Sequence, residues 1–271
     1  MQMFLRKTAW RLGRKLYCWG RGEVANSPDS NGEYWLLNHF IDAVADAAVL
    51  LDVGANKGEW SLHALAGASA AGKTIQLHAF EPSAATREIL QRNLSPYRGV
   101  EVQALALSST EGQANFFTNG IGSGTNSLSP ISGTDTERVQ LSTVDGFIRQ
   151  RGIESIGMMK VDTEGFDLEV LKGAASSLAR GAIELVQFEY NWRWLLNKAS
   201  LREVFGLIEA KPYRLGKLIG KSIVFYDEWH FELDRFFENN YVLVRSGSAI
   251  ERLGRTARFD QSNVAVQVVD S

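Results

Sequence analysis

The sequence predicts an α/β protein organised on a mostly parallel sheet, and three observations predict it. Apolar runs of strand length alternate with segments of helical periodicity from residue 49 to about residue 210. The first run ends in LLDVGANKGEW (residues 50–60), an acid followed by a glycine turn, as at the junction of a first strand and a first helix. Two late runs, KSIVFYD and NNYVLVRS, have strand character, as expected where such a sheet is closed by an antiparallel edge strand.

Taken in order, residues 1–25 form a basic amphipathic helix: Leu5, Ala9, Leu12, Leu16 and Trp19 recur on one face, with Lys7, Arg11, Arg14 and Lys15 opposite. Such a helix suits either packing on a protein surface or peripheral contact with an anionic membrane. The turn-forming run NSPDSNGE reads as a linker over residues 26–33. The main domain is expected over residues 34–246, opening with a short helix at 34–47. Strands are expected at 49–53, 74–80, 100–107, 157–161 and 183–189, and helices at 59–68, 84–93, 166–179 and 201–210. QANFF and RVQLSTV read as a β pair joined by the Gly/Ser-rich run at 118–130, which has the composition of a mobile active-site loop. Residues 247–271 form a polar tail with weak periodicity.

The bulk composition narrows the function classes. With 271 residues, 45% of them hydrophobic, the chain can bury one sizeable core. A formal charge of −2 gives no reason to expect a nucleic-acid partner. The single cysteine, Cys18, excludes an internal disulfide and any cysteine-rich zinc site, and fits a cytoplasmic location. His39, His63, His78 and His230 lack metal-ligand spacing; only His63 falls near the first glycine turn.

The turn itself selects among ligands. Gly54 and Gly58 let backbone amides approach a ligand at a helix N-terminus. In the dinucleotide pattern GxGxxG a second glycine admits a pyrophosphate, and Asn56 fills that place here. A ligand without phosphates fits better, one whose amino and carboxylate groups meet Asp52, Asn56 and backbone amides; S-adenosylmethionine has that chemistry. Glu81, ending the second strand in HAFEP, is placed to accept both ribose hydroxyl protons, and Pro82 and Ala106 are grouped with the same cofactor set. An NAD- or nucleotide-sugar-binding enzyme, or a non-catalytic module of the same fold, stands as the alternative.

MMKVDTEGFDLEVLKGA then brings Lys160, Asp162 and Glu164 to one strand end. Alternation puts them on one side of the strand, so each charge tunes the others. Asp162 is the first candidate for a base. Glu164 and Glu189 share that role or hold a divalent cation through oxygen ligands, and Lys160 stabilises developing negative charge. Tyr190, Trp192 and Trp194 suit either a sugar-ring platform or the core.

Together DVGANKG, FEP, the segment from Lys160 to Gly173 and the Gly/Ser loop resemble the FkbM family of S-adenosylmethionine-dependent methyltransferases, over about residues 49–244. The resemblance implies a Rossmann-like class I methyltransferase fold with a seven-stranded sheet. It also implies O-methylation of a hydroxyl on a sugar, glycoconjugate or secondary metabolite. The N-terminal helix and the tail lie outside what it implies.

Overall fold

Strands that are apolar at every position need both faces covered, and the chain supplies helices for each. The computed structural model describes residues 2–23, 26–129 and 135–268. Helix α1 (Gln2–Gly20) buries none of its residues, and α2 (Glu33–Ala43) opens the main domain. There follow β1 (Ala48–Val53), α3 (Glu59–Ala70), β2 (Ile75–Phe80), α4 (Ala84–Leu94) and β3 (Val100–Gln103). Two short excursions, β4 (Ala106–Leu107) and the hairpin β5 (Gly112–Thr118) and β6 (Asp135–Ser142), form a separate three-stranded sheet. The chain continues with α5 (Val144–Arg151), β7 (Ile156–Val161), α6 (Asp167–Lys172), α7 (Ala175–Ala179), β8 (Ile183–Tyr190) and α8 (Leu201–Ile208). It ends with β9 (Tyr213–Leu218), β10 (Ile223–Tyr226), β11 (Asn239–Arg245), β12 (Gly254–Phe259) and β13 (Ala265–Gln267).

The main sheet has the order β13-β12-β10-β9-β11-β8-β7-β1-β2-β3. Its seven strands from β3 to β9 are the expected class I arrangement, with β11 antiparallel to both neighbours and inserted between β8 and β9. Alternate side chains sort into two layers. Leu51, Val53, Met159, Val161, Val186 and Phe188 pack on one face, and Leu50, Met158 and Leu185 on the other with α2 and α3. Each such burial contributes about 1.5–3 kcal/mol, enough to fix register, since a one-residue slip exchanges the layers.

Several boundaries differ from expectation for physical reasons. The strand expected over 100–107 is two strands, because Ala106 and Leu107 leave β3 to pair with β6. The helix expected over 166–179 breaks at Gly173, whose carbonyl accepts a hydrogen bond from the Asp145 amide and whose α-carbon lies against the Ser108 carbonyl. Residues 247–268 are more than a tail: β12 adds to β10 in parallel and β13 pairs with β12. The run at 26–33 packs against the domain, with Asn31 and Glu33 buried. No helix among the described residues is long and apolar enough to cross a membrane.

Candidate active site

The carboxyl ends of β1, β2 and β7 open onto one cavity, the place where an open α/β sheet binds its ligand. Of the residues anticipated for the site, Asp52, Gly54, Asn56, Glu81, Pro82, Ala106, Lys160, Asp162 and Glu164 line it. Gly58 and Glu189 do not. Gly58 sits one step back, in the left-handed region at the start of α3 and against Leu90.

The β1 turn is shaped by close approach. Gly54 has φ 83°, and a β-carbon there would collide with the Asp162 carbonyl, so the glycine lets the ends of β1 and β7 meet. Asn56, at φ 49°, takes a left-handed conformation that Asn tolerates better than most residues, and its amide donates to Glu81 Oε2 at 3.1 Å. The Ser83 amide donates to Glu81 Oε1 at 2.9 Å. Burial nevertheless pushes the Glu81 carboxyl up to about 7, outweighing those bonds.

Asp52 is 0% exposed; its Oδ2 accepts from Ser61 Oγ at 2.6 Å, while its Oδ1 has no partner. Asn56 Oδ1 and Trp60 Nε1 are likewise buried without partners, and both residues belong to the cavity wall. Burial raises the Asp52 carboxyl, against the pull of Lys160. Asp52 and Lys160 are register partners across β1 and β7, and Gln187 continues the row on β8. Glu33, at the start of α2, closes this row by accepting from Gln187 Nε2 at 2.7 Å. Lys160 Nζ lies 2.9 Å from Asp162 Oδ2. Burial alone would lower the lysine; the carboxylates of Asp162, Glu33 and Asp52 overcome it and hold the ammonium well above its ordinary value.

Asp162, Glu164 and Glu189 bring carboxylate oxygens within 4.8 Å of one another. Glu164 has φ 56° and pairs with Arg193 at 2.7 Å; burial and then Asp162 push it up to about 7. Glu189 accepts from Asn26 Nδ2 at 3.0 Å and Asn191 Nδ2 at 2.8 Å, and burial together with Asp162 and Glu164 raises it well above the carboxylate range. The turn carrying Glu164 is tied by the buried Asp167, which accepts from the amides of Thr163 at 3.3 Å and Gly165 at 3.1 Å. Burial lifts Asp167 to about 8.

The Gly/Ser run folds over this cavity as far as it is described; Pro130 lies outside the described residues. Ser123, Gly124, Asn126 and Leu128 line it, and Ser127 Oγ donates to the carbonyls of Thr163 and Glu164, each at 3.2 Å. Sequence reasoning missed Pro28, Glu33, Tyr34, Trp60 and Phe116 in the wall. Trp60 had a local signal, as the second residue of the helix after the glycines; the others arrive by long-range packing. Tyr190 and Trp194 belong to the core, whereas Trp192 is half exposed beneath the Arg193 guanidinium. His63 stacks on Tyr34 at 3.8 Å, outside the cavity wall.

Comparison with known proteins identifies the family of the chain. The model of the methyltransferase FkbM domain matches residues 52–215, more than half of the chain. The hexuronic acid methyltransferase AglP of Haloferax volcanii is 27% identical over 157 residues, covering 58% of this chain and 62% of that protein. The chain thus spans about six-tenths of that curated relative. Among solved structures, methyltransferase FkbM from Methylobacillus flagellatus aligns with TM-score 0.45 and 17% identity, over 73% of this chain and 44% of that one. A Streptococcus mutans protein in complex with SAH aligns with TM-score 0.44 and 10% identity, over 78% and 96%. On the family match, which begins at Asp52 and takes in Glu81 and the whole Lys160 to Gly173 segment, the chain belongs to the FkbM methyltransferase family.

Proposed function

We propose that the protein is an S-adenosylmethionine-dependent O-methyltransferase acting on a hydroxyl of a sugar-bearing acceptor. One observation carries the cofactor assignment: Asp52 Oδ1, Asn56 Oδ1 and Trp60 Nε1 are buried without partners on residues of the cavity wall. An unsatisfied buried polar atom costs about 1–3 kcal/mol, and a ligand that brought two donors and an acceptor to these residues would remove that cost. An amino acid head group does so. Asp52 Oδ1 would accept from the ammonium and Asn56 Oδ1 from a further donor, and Trp60 Nε1 would donate to the carboxylate. Glu81, already fixed by two backbone amides, keeps lone pairs for the ribose hydroxyls. When bound, the cofactor supplies an electrophilic methyl group for in-line transfer.

The chain's own work is on the acceptor. Asp162 Oδ2 is held by Lys160, and its other oxygen is free of protein hydrogen bonds among the described residues, available to receive the hydroxyl proton. Glu164, raised by burial and then by Asp162, orients the acceptor as a hydrogen-bonding group in the cavity wall, with Glu189 beside it outside that wall. Trp192, exposed beside Arg193, offers a flat apolar face to a sugar ring. The name of the Haloferax relative adds weight to a sugar, hexuronic acids first. Dependence on S-adenosylmethionine and a lone free cysteine suit the cytoplasm.

A second reading has its own observation: the Asp162, Glu164 and Glu189 oxygens are close enough to share one divalent cation. The Lys160 ammonium already supplies positive charge beside Asp162, which favours the proton-acceptor reading. Chelation separates the two, since only the cation reading predicts lost turnover.

The test is incubation with methyl-deuterated S-adenosylmethionine and a panel of neutral and hexuronic-acid glycosides, followed by mass spectrometry and alkali treatment. An alkali-stable labelled ether is expected. An alkali-labile ester would move the reaction to a carboxylate, and binding of NAD in place of S-adenosylmethionine would overturn the cofactor assignment.

A further inference from the structure

We infer that α1 is a docking element for an anionic lipid bilayer, lying in the interface with the stripe Leu5, Ala9, Leu12, Leu16 and Trp19 inserted. This goes beyond the catalytic reading and is independent of it. The helix is attached to the domain by its other side. Tyr17 packs against Phe237 with ring centroids 5.9 Å apart, and Arg14 lies over the same ring at 5.3 Å. Its C-terminal end is pinned: Tyr17 OH donates to Glu232 at 2.9 Å, Arg21 pairs with Glu232 at 2.5 Å and with Glu23 at 3.0 Å, and Glu23 meets the buried Lys217 at 2.8 Å.

With 3.6 residues per turn, this leaves the apolar stripe pointing away from the domain. Leu5, Leu12, Leu16 and Trp19 are 58% to 82% exposed, and Met3, Phe4 and Trp10, off the stripe, are 65% to 73% exposed as well. That is an orientation no soluble surface rewards, and the same side chains would gain from an apolar medium.

Charge selects the occupant. The helix carries Arg6, Lys7, Arg11, Arg14 and Lys15 and no carboxylate, whereas the whole chain has a net charge of −2, so a cationic helix is mounted on an anionic domain. Of the basic residues Arg6 and Lys15 lie nearest the edges of the stripe, one on either side, where long basic side chains reach lipid headgroups while the stripe sinks below them. Pairing two copies stripe to stripe would set these cations against one another, and an anionic headgroup layer neutralises them. Attachment also places the site. Asn26, six residues beyond the end of α1, bonds Glu189, and Pro28 lines the cavity, so a bilayer that holds α1 holds the cavity close to its surface.

The experiment is flotation of the full-length protein with phosphatidylcholine vesicles and with vesicles of mixed phosphatidylcholine and phosphatidylglycerol, at low and high salt. Binding to the mixed vesicles alone is expected, weakened by salt, with a blue shift of Trp19 fluorescence that Trp19→Phe removes. Leu12→Glu with Leu16→Glu should lower binding at least about tenfold, and each of Lys7→Gln, Arg11→Gln and Lys15→Gln about fivefold. Because α1 buries no residue, these variants should keep the parent's Tm, which separates lost docking from lost fold. Absence of binding to mixed vesicles, or binding indifferent to the Leu12/Leu16 pair, overturns the inference. Lipid-free self-association abolished by that pair would overturn it too, and give the stripe to a second copy.

Discussion

At the ends of β1 and β2, the carboxylates of Asp52 and Glu81 are buried and separately held, by a serine hydroxyl in one case and two backbone amides in the other. At the ends of β7 and β8, Asp162, Glu164 and Glu189 crowd within 4.8 Å, with Lys160 and Arg193 as counter-ions. The same functional group on the same sheet edge is thus placed in two circumstances. Carboxylates anchored by fixed donors suit recognition, since their geometry is set before a ligand arrives. Crowded carboxylates sharing cations suit proton handling, since each tunes the affinity of the others for a proton.

The largest expected effect lies on the crowded side. Asp162→Asn should reduce turnover by about 10²- to 10⁴-fold while the protein stays folded with a lowered Tm, because the amide keeps the shape and loses the base, and Lys160 keeps Glu33 and Asp52 as counter-charges. A rate within a few-fold of the parent would reduce Asp162 to an ion-pair partner of Lys160. Next comes Gly54→Ala, which strains both sides at once. The added β-carbon meets the Asp162 carbonyl from a left-handed backbone, and denaturant titration should show a loss of at least about 1–3 kcal/mol. A neutral substitution would mean the two strand ends are not in contact.

Two smaller effects sharpen the contrast through pH. Glu81, raised from 4.5 to about 7, must be ionised to accept both ribose protons. Cofactor affinity should therefore fall by up to about tenfold per pH unit below about 7, and Glu81→Gln should flatten that dependence in calorimetric titrations. Smallest is the effect on stability without ligand. The folded values of Glu81 and Glu164 lie above their ordinary 4.5, so the stability they contribute is complete below that value and is lost as pH rises through about 7. Thermal melts of Glu81→Gln and Glu164→Gln should lose less Tm than the parent over that window; a parent whose Tm rises there would reverse the sign.

Local chemistry made much of this legible. Strands β1, β2, β7 and β8 and the helices after the first two follow from apolar runs and turn residues whose causes lie within a few positions. For the same reason DVGANKG, FEP and KVDTEG supply the cavity residues Asp52, Asn56, Glu81, Lys160 and Asp162. Contributions made by packing were not legible. Glu33 and Pro28 come from a stretch with the composition of a linker, and Glu33 is held in the wall by Gln187, which also bonds Asn240. Asp167 reads as an ordinary acid of a helix first turn, and only its burial shows that it ties the Glu164 turn. The addition of β12 to β10 joins residues 31 positions apart, and β12 comes from the tail whose own periodicity is weak.

The claim that one side of the cavity recognises cofactor while the other handles the acceptor's proton is tested most directly by calorimetric titration of S-adenosylhomocysteine into Glu81→Ala and Asp162→Asn side by side. Removing Glu81 takes away two hydrogen bonds to a charged acceptor, so the account predicts weakening by about 1–3 kcal/mol there. It predicts parent-like affinity, within about threefold, for Asp162→Asn. Equal losses in the two variants, or a loss confined to Asp162→Asn, would contradict the division of labour between the two sides of the sheet edge.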